Sequence, residues 1–203
     1  NIPEPEGQGG GSAGDGQHRD RYRTRQRKDA ALTIPPRRQA SAIELGVLLR
    51  QIVVEPGAGE MEAVQSLAEP LGVAPEIIQL ELLHTRAFAV ELALQISLSD
   101  DQVAMQLREQ FAARIREGHH DSQASELLQQ RLETFHAVIE DEHTTAGLAA
   151  AVGQCFAAHF AAGALAGDLA HLAGRLFAGL FDEVCDLLAE VELVEIDVDD
   201  LAE

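Results

Sequence analysis

One stretch constrains this chain more than any other: Pro75 to Leu98, PEIIQLELLHTRAFAVELALQISL, a long run of helical character with no internal glycine or proline. Proline is preset for the first helical position, and its missing N–H costs nothing there. At about 100° per residue, the polar residues fall on two narrow stripes. One carries Glu81, His84, Glu91 and Gln95; the other carries Gln79, Arg86 and Ser97. Between them lie two apolar faces, Ile78, Leu82, Thr85, Ala89 and Ile96 on one side and Leu80, Leu83, Ala87, Leu94 and Leu98 on the other. A surface helix shows a single apolar stripe. Two apolar faces predict a helix packed on both sides, the spine of a bundle.

The rest of the chain supplies helices to pack on that spine. Ala40 to Val54 stops at Pro56-Gly57, and Gly59 to Leu71 stops at Gly72. Ser99-Asp100-Asp101 is a cap signal for a helix reaching about Glu117, with Val103, Leu107, Phe111 and Ile115 on one stripe. Ser122 to Asp141, Thr145 to Ala166 and Asp168 to Val191 complete the set. Aromatics make up 4% of the residues, with no Trp, so the core must come from Leu, Ala, Val and Ile, which suits helices better than a sheet sandwich. The expectation is an all-α, single-domain bundle with a flexible, arginine-rich N-terminal arm. Its divisions are 1–39 for the low-complexity linker and arm, 40–194 for the bundle, and 195–203 for an acidic tail that frays.

Charge is unevenly distributed. Residues 1–39 hold 8 Lys+Arg against 5 Asp+Glu, and the remainder holds 7 against 29, so a basic arm of +3 precedes a body of −22. Arg19, Arg21, Arg23, Arg25 and Arg27 recur at every second position, which puts all five on one side of an extended chain. With Tyr22 as an apolar anchor, they are the candidate partner-binding residues, for a protein surface or for nucleic acid phosphates. Thr145 to Gly167 has the length of a membrane span and no charged residue. It is mostly Ala and Gly, its flanks are acidic, and it has no aromatic belt, so membrane insertion is not expected. Its small residues would instead let a neighbouring helix approach closely. The Ala, Gly and Arg usage suggests a bacterial, cytoplasmic protein.

Three motifs bear on chemistry. Glu81-x-x-His84, Glu133-x-x-His136 and Glu140-x-x-His143 resemble the Glu-x-x-His motif of ferritin-like di-iron bundles. That resemblance implies inward-facing ligands, and only Glu81 and His84, with Glu91 further along, lie on a helix expected to be buried. Those three are the metal candidates; Glu133, His136, Glu140 and His171 read as solvated, and no metal or cofactor is expected. His119-His120-Asp121 resembles the His-Asp pair of metal-dependent phosphohydrolases, although Asp121 or Ser122 also serves there as a helix cap. Ser66 to Leu82 resembles a helix-turn-helix, with Ala68, Gly72 and Ile78 as its small, turn and buried positions. No Arg or Lys lies between Gln51 and Thr85, however, and phosphate contacts need basic groups. Neither Cys155 nor Cys185 has an activating neighbour in sequence, and there is no Gly-x-Ser-x-Gly elbow. The reading favours a non-enzymatic interaction or assembly subunit that binds a protein partner, or itself, through the arm or the bundle surface. A nucleic-acid-binding regulator is the alternative and a helical metalloprotein the third reading.

Overall fold

The computed structural model describes residues 37–57, 59–117, 122–160 and 162–195. The fold is an all-α bundle. In chain order, a short strand β1 (Arg38–Ser41) leads into α1 (Ala42–Val54), followed by α2 (Glu60–Leu71), α3 (Pro75–Ser97), α4 (Gln102–Glu117), α5 (Ser122–Ile139), α6 (Thr145–Ala158), α7 (Ala166–Glu190) and β2 (Val191–Val194). Arg19, Arg21, Tyr22, Arg23, Arg25 and Arg27 lie outside the described residues, as do His119, His120 and Asp121.

Helix ends follow local chemistry. Ser41 caps α1 through a capping box: its hydroxyl accepts from the Glu44 N–H, and the Glu44 carboxylate accepts from the Ser41 N–H. Asp101 Oδ1 accepts from the Ala104 N–H at 2.8 Å, so the cap expected at Ser99–Asp101 is Asp101. Gly72 ends α2 at φ +67°, and the Val73 N–H closes back on the Ala68 carbonyl at 3.2 Å, a Schellman-type stop.

The spine is α3, and its middle is buried on every side: residues 84 to 90 are all buried, with Phe88, Ala89 and Val90 fully so. Burial reaches onto the polar stripes, since Glu81, His84 and Arg86 are inside, while Leu80 and Ile96, expected on apolar faces, are 39% and 62% exposed. Leu80 stands between Ile78 and Leu82, both fully buried, so its arc of α3 is left uncovered there, and Ile96 lies in the last turn. A row of rings crosses the core from α5 through α3 to α7. Phe135 lies 5.2 Å from Phe88, Phe88 5.8 Å from Phe177, and Phe177 5.8 Å from Phe181, between ring centroids. Four of the seven phenylalanines meet in this row.

Two expectations are corrected. The helix read from Thr145 to Ala166 ends at Ala158, and a 3₁₀ turn at Gly163–Leu165 redirects the chain into α7. The small residues then serve the hairpin, because α6 and α7 touch backbone to backbone at Ala149, Gly153, Ala170 and Gly174. The last residues of the expected helical bundle form a strand instead. Val191–Val194 pairs in parallel with Arg38–Ser41, Arg38 opposite Val191 and Ser41 opposite Val194. Among the described residues no helix is long and apolar enough to cross a membrane.

Candidate functional site

Two buried ionic clusters and one exposed apolar face stand out. The first cluster is built on Glu81, on the α3 turn that α5 and α6 both reach. Arg131 of α5 grips its carboxylate with two donors, Nε to Oε2 at 2.9 Å and Nη2 to Oε1 at 2.7 Å. The same Oε2 lies 3.3 Å from Nδ1 of His159, at the end of α6, and 3.5 Å from Nδ1 of His84, one turn along α3. Burial pushes the Glu81 carboxyl up, but the contacts with His159, His84 and Arg131 more than offset this and hold it far below the usual carboxylate range. Glu81 is therefore a fixed anion that orients two imidazoles and one guanidinium.

This arrangement bears on the metal candidates. Glu81 and His84 come together, but Arg131 already supplies the positive charge on the carboxylate that a cation would take. Glu91 turns elsewhere, 3.3 Å from Nε2 of His136, and that ring stands edge-on to Phe88 at 4.9 Å. His136 is thus half-buried where a solvated side chain was expected. Among the described residues, no group of three His, Cys, Asp or Glu is arranged to hold a metal ion. Cys155 precedes His159 by one turn of α6. Burial pushes its thiol up, against a smaller lowering by Arg131, so the nucleophilic thiolate is disfavoured.

The depressed Glu81 pKa makes a pH prediction. A carboxyl lowered in the folded state adds stability that is fully present above its unfolded value, about 4.3, and is lost as pH falls toward the folded value. Glu81→Gln should lower stability at neutral pH and flatten the acid limb of a stability–pH curve below about pH 4.3. Urea titrations at several pH values would read this, and an acid limb as steep in the variant as in the parent would show that Glu81 does not carry it.

The second cluster ties three helices. Glu60, at the start of α2, pairs with Nη1 of Arg86 in the middle of α3, and both side chains are about 95% buried. Arg86 Nε also donates to the Val53 carbonyl at 2.6 Å, near the end of α1, and Glu60 accepts from the Gly57 N–H at 2.9 Å. Every link is an intramolecular structural bond.

The hairpin between α2 and α3 has the local geometry its sequence promised, with Ala68 and Ile78 buried around Gly72. Its solvent side shows Ile77 and Leu80, 50% and 39% exposed, where a DNA reader needs donors.

The exposed face belongs to α1. Its sequence, AIELGVLLRQIVV, is apolar except at Glu44, Arg50 and Gln51. Leu45, Leu49 and Val53 fill the core, while Ile43, Val47 and Val54 stand 47%, 47% and 40% exposed. With Arg50 they follow a 4-3-4 spacing, 43, 47, 50 and 54, along one outer stripe. Sequence reasoning passed over this face, yet the signal was present, since a helix apolar nearly all round needs cover on both sides. No protein-family model, curated protein or solved structure matches this chain.

Proposed function

We propose that this protein is a non-enzymatic helical interaction subunit that holds a protein partner through the outer face of α1, with the basic arm as a second contact. One observation carries the reading: Ile43, Val47 and Val54 face solvent at the spacing of a coiled-coil seam. That spacing suits a helix of another chain, with Arg50, whose Nε donates to the Arg114 carbonyl of α4 at 3.2 Å, at the edge of the seam. A second copy of this chain is a poorer occupant, because the seam would hold two Arg50 guanidiniums, facing each other in a parallel pair and Val47 in an antiparallel one, with no carboxylate on the stripe to meet them. The arm, at +3 before a body of −22, supplies the charge the body lacks for an acidic partner. The free thiols of Cys155 and Cys185 suit the reducing cytoplasm, the compartment we assign to this reading.

A photo-crosslinking residue in place of Val47, in the full chain in its source cell, tests this. A discrete adduct with one other protein is expected, lost with Ile43→Glu and weakened by deletion of residues 1–30. Raising salt to about 0.5 M should mimic the deletion, since screening then shortens to a few ångströms. An adduct of twice the chain mass would replace the foreign partner with a second copy. Binding of short duplex DNA at physiological salt, abolished by the deletion, would install the nucleic-acid reading instead.

A further inference from the structure

A second surface feature is independent of α1. Helix α4 packs on α1 and α5 packs on α6, so the two diverge and leave a cleft of about 790 Å³ floored by α3. The floor is apolar: Leu94 of α3, Phe111 and Ile115 of α4, Leu128 and Leu132 of α5. Such a volume lies within the roughly 300–1,000 Å³ of small-molecule sites.

Shape narrows the occupant. Helix α5 lines the cleft from Ser122 to His136, a length of about 21 Å at the helical rise. An elongated ligand would lie along it.

Charge narrows it further. Glu91, Glu109, Glu126 and Glu133 line the cleft against Arg108 and Arg116. Arg108 pairs with Asp100 at 2.9 Å and donates to the Leu98 carbonyl at 3.0 Å, whereas Arg116 donates only to the neutral Ala112 carbonyl, so four carboxylates face one guanidinium without an ion pair among the described residues. Glu91 meets His136, whereas Glu109 and Glu126, on opposite walls, enter no ion pair among the described residues. The field in the cleft therefore favours a cation, and the low-dielectric floor strengthens it.

We propose that the cleft between α4 and α5 binds an amphipathic organic cation, its ammonium head in the field of Glu109 and Glu126 and its apolar body over Phe111, Ile115, Leu128 and Leu132. The probe is octyltrimethylammonium, titrated calorimetrically into the full chain below its micellar range. Saturable one-to-one binding is expected, at least about tenfold tighter than octanoate or tetramethylammonium, about 1.4 kcal/mol at that ratio. Glu109→Gln with Glu126→Gln should remove most of the preference over octanoate. Ala112→Trp, at an exposed position lining the cleft, should fill the site and abolish binding while leaving the helical circular dichroism unchanged. Equal affinity for octanoate, affinity unchanged by Ala112→Trp, or no saturable binding would each overturn the proposal. None of these results touches the α1 partner, so the two readings fail separately.

Discussion

Arg86→Met should destabilise the fold by about 3–5 kcal/mol, the range for removing one member of a buried ion pair. The side chains of Arg86 and Glu60 are 6% and 5% exposed, so the Glu60 carboxylate would be left in the interior with no opposite charge. The same substitution strips the Val53 carbonyl of its side-chain donor near the end of α1. Glu60→Leu alone should cost a comparable amount by stranding the guanidinium. The double variant should recover much of the loss, because an apolar pair has no charge to desolvate. Recovery should stop short of the parent, since the Gly57 N–H also loses its acceptor. Urea denaturation of the four proteins forms a double-mutant cycle, with a coupling energy of a few kcal/mol expected for residues in direct contact. A loss below about 1 kcal/mol for Arg86→Met would mean that water reaches Glu60 and the cluster is not a closed one.

The second large effect concerns the α6–α7 hairpin. A methyl on Gly153 would run into the Ala170 carbonyl, and one on Gly174 would sit 2.6 Å from the Ala149 carbonyl oxygen. The obstacle in each case is backbone, which cannot rotate aside. Gly153→Ala and Gly174→Ala must therefore push the helices apart, at a cost of about 3 kcal/mol or more, the upper end for overpacking. Gly179, on the same helix, has nothing within 4 Å of where its Cβ would be. Gly179→Ala should stabilise by up to about 1 kcal/mol, the helix-propensity difference between the two residues. Opposite signs for one chemical change, measured by thermal and urea unfolding, are the signature of close backbone approach. Destabilisation of equal size at Gly179 and Gly153 would refute it.

These clusters also mark where sequence reading stops. The spine, the cap before α4 and the stop at Gly72 were legible because each depends on residues within a turn or two of one another. The small residues of α6 were legible as a close-approach surface, but the break after Ala158 was not. Its signal, Ala-Ala-Gly-Ala between two apolar helices, is what a continuous helix would also show at its weakest. Glu81 and His84 were legible as a pair on one helix face. Arg131 and His159, which complete that cluster, lie 50 and 78 positions further along, and only packing brings them in. Arg86 looked like part of a polar stripe because amphipathic arithmetic assigns charge to solvent and cannot foresee a buried partner such as Glu60. The ribbon of β1 and β2 escaped notice because four-residue strands whose partners, such as Arg38 and Val191, lie 153 positions apart leave no periodicity. The cleft between α4 and α5 depends on how each packs elsewhere, and no property of either helix alone announces it.

The parallel ribbon also decides how the body would bear a load. Tension entering through the chain before Arg37 and leaving through the chain after Glu195 would draw β1 by its leading end and β2 by its trailing end. In a parallel pair those pulls run along the strands in opposite directions. The cross-strand hydrogen bonds from Arg38–Val191 to Ser41–Val194 are then strained together, in shear. An antiparallel hairpin held the same way would open one bond at a time. A ribbon too short to contribute much to equilibrium stability thus acts as a mechanical latch, closing the helical body at the point where a pull on both ends arrives first.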